Sequence, residues 1–200
     1  MIKKKRLINN SISGLFQLII TAILTFLCIP IFIKGLGTDQ YGVFALVSVI
    51  GNLNLFTNLG LNSSLTKFLA EQGQCADSNK DIITTLLISV LIIIPISFIA
   101  YIFRSYLLIR LLHVPILYYQ EAERLFFWLL IANSALLIGQ TFTAILNALQ
   151  RIYLTNIIQL IYSVIYWLGI IIVVMLGYHI DVVGEVIFIA SFIWIFLSLC

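Results

Sequence analysis

The run Leu86-Leu87-Ile88-Ser89-Val90-Leu91-Ile92-Ile93-Ile94 holds one hydroxyl and no charge, and its reading decides the fold. Apolar and polar side chains do not alternate along it, which excludes a half-buried strand or the wall of a membrane barrel. The apolar block around it covers 82–103, and a bilayer core of about 30 Å takes about 20 helical residues to cross. Working outward, comparable blocks cover 13–33, 43–65, 125–149, 156–177 and 184–199. In hydrocarbon every backbone N–H and C=O must be satisfied within its own segment, so all six blocks are expected to be helices. The predicted fold class is all-α integral membrane, with six transmembrane helices in one bundle over 1–200. A chain of 200 residues that is 62% hydrophobic and 10% charged, with a mean hydropathy of +1.14, has too little polar surface for a water-soluble domain.

The connections set the orientation. A cytoplasmic N-terminus places Lys3, Lys4, Lys5, Arg6, Lys67, Lys80 and Arg151 inside, against Lys34, Arg104, Arg110 and Arg124 outside. Basic residues in short loops favour the cytoplasm, so the N-terminus is expected there. The first apolar run is longer than a signal-peptide core and no A-x-A site follows it, which makes it a retained helix. The net charge of +3 reflects this topology; no basic patch with stacking aromatics points to nucleic acid. Cys28, Cys75 and Cys200 neither pair by spacing nor join a histidine cluster, so neither a disulfide nor a metal site is expected, and no cofactor. The stretch 104–124 mixes Arg104, Arg110, His113, Tyr118, Tyr119 and Arg124 with apolar residues and suits a segment at the membrane surface. Pro30 and Pro95 are expected to interrupt their helices near the outer end.

An apolar helix in lipid needs no polar side chains, so their arrangement is informative. In the first block Gly14, Gln17, Thr21, Thr25 and Cys28 recur at spacings of three and four and form one stripe. The second carries Gly51, Asn54, Thr57, Asn58 and Asn62, the fourth Asn133, Gln140 and Asn147 at a seven-residue interval, and the fifth Asn156, Gln159, Ser163 and Tyr166. The third and sixth are nearly plain hydrocarbon. Two readings stay open. Amides and hydroxyls hydrogen-bond neighbouring helices, or four striped helices face a hydrated cavity whose donors and acceptors suit sugar hydroxyls. The candidate cavity residues are Gln17, Thr21, Thr25, Asn54, Asn58, Asn62, Asn133, Gln140, Asn147 and Gln159. Lys67 and Arg151, at the inner ends of striped helices, are placed to meet an anionic headgroup. No acid stands clearly at mid-membrane, where a proton or sodium relay would hold one. No nucleophile–base pair, phosphate-cradling glycine loop or paired buried carboxylates are present, so the chain is not read as an enzyme.

Four stretches carry a family resemblance. Arg6-Leu7-Ile8-Asn9-Asn10-Ser11-Ile12-Ser13-Gly14-Leu15 resembles the start of the bacterial polysaccharide transporters, the O-antigen (Wzx-type) flippases. Gly35-Leu36-Gly37-Thr38-Asp39-Gln40-Tyr41-Gly42-Val43-Phe44 is similar to that family's turn after the first helix. Asn58-Leu59-Gly60-Leu61-Asn62-Ser63-Ser64-Leu65-Thr66-Lys67 resembles the end of its second helix, with Asn58 where the family often has Asp. Leu146-Asn147-Ala148-Leu149-Gln150-Arg151, followed by Asn156, resembles its inner hairpin between helices four and five.

The resemblance implies the multidrug/oligosaccharidyl-lipid/polysaccharide exporter fold, two six-helix bundles around a cationic cavity, of which this chain is the N-terminal bundle and the second is absent. It implies transport of an undecaprenyl-diphosphate-linked oligosaccharide across the bacterial inner membrane by alternating access. The implied partners are that lipid-linked substrate, membrane lipids, a missing C-terminal half or a second copy, and polysaccharide assembly proteins. The last block is short and reaches Cys200 without basic or aromatic anchors, so a truncated chain is expected. Two other readings remain: an integral membrane enzyme that modifies polysaccharide, with His113 the residue to test, and a small transporter that dimerises to complete its pathway.

Overall fold

The computed structural model describes residues 2–51, 60–72 and 76–199. Among them the structure is helical, without strands: α1 (Ile2–Leu36), α2 (Thr38–Gly51), α3 (Leu61–Gln72), α4 (Ala76–Ile102), α5 (Tyr119–Ala148), α6 (Ile152–Met175) and α7 (Ile180–Leu199). A π-helical turn (Tyr106–Leu111) and a 3-10 turn (Ile116–Tyr118) join α4 to α5. Five helical stretches among the described residues are long and apolar enough to cross a bilayer: Asn9–Leu36, Ser78–Ile102, Ile116–Ala148, Ile152–Met175 and Ile180–Leu199. The chain is an all-α integral membrane protein. The expected span 43–65 is taken up from its two ends by α2 and α3, and the intervening residues, with the candidates Asn54 and Asn58, lie outside the described ones.

Apart from α2 and α3, which both run toward the proximal end, successive helices run in opposite directions. The end that holds the start of α1, here the proximal end, also holds the starts of α4 and α6. The starts of α2, α5 and α7 lie at the distal end. Each of those three distal starts carries an acid in its first turn: Asp39, Glu121 and Asp181. Negative charge beside the partly positive N-terminus of a helix is stabilising. Glu121 and Glu123 therefore belong to the first turns of α5, one step inside the loop where their polarity alone would place them. Pro30 and Pro95 lie inside α1 and α4, which continue past them.

The centre of the bundle is α5, which packs most extensively on α7 and also meets α2, α3, α4 and α6; the second major seam joins α1 to α6. The distal half holds the larger apolar core. There Phe32 meets Phe44 and Tyr41 edge-on, with ring centroids 4.9 and 5.5 Å apart, and Leu125, Phe126, Ile170 and Val183 are fully enclosed. The proximal half holds a small cluster of Leu65, Leu69 and Ala144. Outward faces are apolar: Phe26 is 79% exposed and Leu91 74%, as lipid contact requires.

Lipid tails are as apolar as leucine, so helices here associate by close contact and polar bonds. Close contact is visible at Gly139, where a Cβ would stand 2.4 Å from the Trp194 ring. It is visible again at Gly184, 3.3 Å from the backbone of Leu125. Gly42, by contrast, faces open space. Gly139→Leu is expected to lower the stability of the purified protein in micelles by about 2 kcal/mol, the scale of overpacking. Gly42→Ala is expected to raise stability slightly through helix propensity. Chemical unfolding followed by circular dichroism reads both, and equal stability of the two variants would refute the close α5–α7 seam.

Candidate functional site

The proximal end is tied together by a side chain from α1. Helix α5 stops at Ala148 with Gln150 in the left-handed region (φ 57°). The Gln150 and Arg151 amides donate back to the carbonyls of Asn147 and Leu146, at 2.9 Å each. Such a reversal satisfies carbonyls that a helix end leaves bare. Arg151 precedes α6 and offers no capping side chain. Asn10 of α1 supplies it: Oδ1 accepts from the Tyr153 amide at 3.1 Å while Nδ2 donates to the Gln150 carbonyl at 3.1 Å. Asn156, one turn into α6, donates from Nδ2 to Ser13 Oγ at 2.9 Å. Further along the seam Gln17 Nε2 donates to Thr21 Oγ1, and Thr21 Oγ1 to Ser163 Oγ, both at 3.4 Å. Thr21 thus joins α1 to α6, and Gln17 bonds to it from within α1. Thr25 and Gln159 are half-buried on the two helices.

A polar groove opens between α3 and α5 in the same proximal half. Its volume is about 240 Å³, and Asn62, Ser63, Thr66, Gln140, Thr143, Ala144 and Asn147 line it. Asn62 Nδ2 donates to Gln140 Oε1 at 3.4 Å. Thr66 Oγ1 donates to the Asn62 carbonyl at 2.8 Å, and Thr143 Oγ1 to the Gln140 carbonyl at 2.9 Å. Thr155 Oγ1 on α6 donates to Asn147 Oδ1 at 3.0 Å, which holds that carboxamide at the groove's lower edge. The lining is almost wholly amide and hydroxyl, with no charged side chain. It offers donors and acceptors at close range within helices otherwise built of hydrocarbon.

Asn133, the remaining member of the α5 interval, faces elsewhere. It lines a second cavity of about 310 Å³ among α2, α5, α6 and α7, with Ser48, Tyr162, Ser163, Tyr166 and Trp167. Lys67 and Arg151 are exposed and outside both linings. Lys67 stands 4.0 Å from Glu71 with both side chains largely in solvent, a pairing of little energetic weight.

The distal end is bonded by charge. Arg104 pairs with Glu123 and stacks 4.5 Å over the Tyr101 ring. The hydrogen bond that Arg104 donates to the Glu123 carboxylate holds its guanidinium further above its already high range, so Arg104 stays charged at any ordinary pH. Arg124 reaches Asp181 at 3.3 Å, and His179 lies 3.9 Å from Glu121 and 3.3 Å from Gln40. His113 sits in the left-handed region (φ 51°) at an exposed position after the π-helical turn. Among the described residues no group of three His, Cys, Asp or Glu side chains is placed to hold a metal ion.

Several lining residues carry a weaker signal in the sequence. Thr66 and Thr143 stand four and three residues after Asn62 and Gln140, on the faces those amides define. Ser48 extends the stripe of the second block by one turn before Gly51. Tyr162 and Trp167 have no such signal, since an aromatic residue in an apolar helix is indistinguishable from core.

The cap supplied by Asn10 gives a direct test. Asn10→Leu removes both bonds and is expected to cost about 1 to 2 kcal/mol, the range for losing a helix cap. Gln150→Gly keeps the carbonyl, relieves the left-handed strain, and is expected to stabilise by about 1 kcal/mol. Opposite signs for the two in unfolding experiments are the expected result; destabilisation by both would refute the reversal geometry.

The comparisons with known proteins agree with this architecture. Searches of curated proteins and of solved structures returned no match. The family described as "Polysaccharide biosynthesis protein" matches residues 7–200. That match takes in both motifs joined by Asn10 and every residue of the two polar cavities, and the chain belongs to the polysaccharide biosynthesis protein family.

Proposed function

We propose that this chain forms one wall of a membrane pathway for a lipid-linked oligosaccharide. The substrate is an undecaprenyl-diphosphate-linked repeat unit of a surface polysaccharide such as O-antigen or capsule. It moves from the inner to the outer leaflet of the bacterial cytoplasmic membrane. The observation that carries this reading is the polar groove between α3 and α5 in a chain of the polysaccharide biosynthesis family. A glycan and a diphosphate cannot cross hydrocarbon unaided, because each polar group left without a hydrogen-bond partner costs several kcal/mol. A groove lined by carboxamides and hydroxyls replaces water for the sugar while the prenyl tail stays in lipid. The resemblance to two-bundle exporters calls for a second bundle, or a second copy, as the opposite wall, and for rocking of the two walls to alternate access.

The asymmetry of packing supports entry from the proximal end. That half holds the groove, and the distal half holds the main apolar core and the ion pairs. The proximal end also carries the basic N-terminal run with Lys67, Lys80 and Arg151, which favours its placement in the cytoplasm. Lys67 and Arg151 are exposed within a turn of groove residues, where they can meet the diphosphate as it arrives. The reading assigns the chain transport, with no bond made or broken.

Two outcomes test the proposal. Cysteines introduced at Asn79 and Gln120, both exposed, are expected to differ in intact cells. An impermeant maleimide should label the one at Gln120 and spare the one at Asn79; the reverse pattern would overturn the orientation. The chain, expressed with its second bundle in a strain that accumulates lipid-linked repeat units, is expected to restore surface polysaccharide. Asn62→Leu with Gln140→Leu should lower that export by about tenfold or more, as loss of polar contacts to a desolvated substrate does. Membrane insertion should be unchanged, since Leu favours it. Undiminished export by the double variant would reduce the groove to packing.

A further inference from the structure

A pocket of about 430 Å³ opens at the distal end between α4 and α5, lined by Tyr101, Gln120, Glu123, Arg124, Phe127 and Trp128. Its volume is within the range of small-molecule sites, roughly 300 to 1,000 Å³. Tyr101 comes from α4 and the rest from the first turns of α5. Gln120, Glu123, Arg124 and Phe127 stand at i, i+3, i+4 and i+7, the pattern of a single helix face. That face changes chemistry along its length, with amide, acid and base first and the rings of Phe127 and Trp128 next. Those two rings meet at 5.5 Å and 66°, and Phe127 meets Tyr101 at 5.8 Å and 60°. The apolar stretch Ser78–Ile102 has 25 residues, about 37 Å of helix against a hydrocarbon core of about 30 Å. Tyr101, next to its end, therefore stands at headgroup level, where membrane proteins concentrate such rings. The side toward lipid is open, since Phe98, Tyr101, Ile102 and Phe127 are all exposed.

We infer that this pocket holds the headgroup of a phosphatidylethanolamine from the leaflet at the distal end. Its lining carries one negative and one positive side chain, and a phosphoethanolamine carries one charge of each sign. Arg124 is bonded to Asp181 through one Nη at 3.3 Å, and its side chain is 71% exposed. Most of its five N–H donors therefore remain for a phosphate. Glu123 accepts from Arg104 through Oε1, and a carboxylate has about four acceptor positions, so an ammonium can join it. Gln120 is exposed at the rim and bonds to no other described residue. Phe127 and Trp128 lie next along the face, where the glycerol and the first chain carbons follow. A hydrocarbon chain alone would lie against three polar side chains and offer them nothing. An anionic headgroup would meet Arg124 and be opposed by Glu123. Phosphatidylcholine would balance the charges, but its trimethylated ammonium has no N–H to donate to Glu123 or Gln120. The site depends neither on the export reading nor on which way the chain faces across the membrane.

The test titrates the intact chain, stripped of lipid in detergent, and reads lipid adducts by native mass spectrometry. The probes are palmitoyl-oleoyl phosphatidylethanolamine, phosphatidylcholine and phosphatidylglycerol in equal amounts, which share their chains and differ only in the headgroup. Phosphatidylethanolamine is expected to bind about fivefold or more tighter than either of the others. Glu123→Gln, which keeps an acceptor for Arg104, is expected to remove the preference over phosphatidylcholine. Gln120→Ala, at an exposed position with no partner to lose, is expected to leave the circular dichroism unchanged and weaken phosphatidylethanolamine binding about threefold. Gln120→Cys places the lipid: a maleimide should label it more slowly in nanodiscs containing phosphatidylethanolamine than in nanodiscs of phosphatidylcholine alone. Asn79→Cys, at the other end, should label equally in both. Equal adducts of the three lipids would mean a lipid annulus only and overturn the site. So would a preference for phosphatidylglycerol, an undiminished preference for phosphatidylethanolamine in both Glu123→Gln and Gln120→Ala, or equal labelling of Gln120→Cys in the two nanodiscs.

Discussion

In hydrocarbon the hydrophobic effect does not draw helices together, and the rest of this structure follows from how the chain compensates. Helix association must come from close backbone approach and from polar groups that prefer one another to lipid. Both devices converge on α5. Gly139 and Gly184 remove the Cβ atoms that would hold α5 and α7 apart. Ser97 on α4 and Ser134 on α5 share a hydrogen bond of 2.9 Å, and Arg124 at the start of α5 reaches Asp181 on α7. α5 therefore has neighbours on several sides, and it and α7 are the most enclosed spans among the described residues, at 39% buried each. By contrast, α1 and α4 present most of their spans outward, with 11% of each window buried.

The same requirement explains why the proximal end is polar. A helix that terminates near lipid leaves four N–H or C=O groups bare. Between α5 and α6 the connection is too short to cap both ends from within. Asn10 resolves this from 140 residues away in sequence by serving the Gln150 carbonyl of the connection and an early amide of α6. Two of the stretches that carry the family resemblance, the one around Asn9-Asn10 and the one ending in Gln150-Arg151, are thereby the two halves of one contact. Their distance in sequence and proximity in space give the resemblance a physical cause.

Membrane character and the direction of most helices were legible in the sequence, because hydropathy over twenty residues depends on little besides composition. The course of the second block was less so, since α2 and α3 approach it from opposite ends with Gly60 in a positive-φ turn (φ 77°) before α3. The polar stripes were legible as stripes, yet periodicity places a residue on a face without naming its neighbour. Thr21 bonds across the α1–α6 seam to Ser163 and receives the Gln17 amide from its own helix, while Asn62, Gln140 and Asn147 border open volume. The stripes thus divide between a helix–helix seam and the lining of a polar groove. Of the aromatic corner beside Asn133, Tyr166 stands in the fifth stripe, whereas Tyr162 and Trp167 were invisible for a different reason: a ring facing a cavity and a ring facing core have the same hydropathy.

The seven-residue interval on α5 shows how one helix can serve two sites. At 1.5 Å per residue, successive amides stand about 10.5 Å apart along the axis. An α-helix drifts about 20° per heptad, so Asn133 is turned about 40° from Asn147. That rotation alone would leave all three amides on one broad face. The neighbour changes along the way, however: α3 lies beside Gln140 and Asn147, and α2 with α6 lies beside Asn133. A regular stripe is therefore divided between an open proximal groove and an aromatic-walled pocket. On the export reading, a glycan advancing along α5 exchanges one amide for the next before reaching the densely packed distal half. Passage beyond Asn133 then requires that half to open, and the contacts that must yield are those between α5 and its distal partners, the ion pairs of Arg104 and Arg124 among them.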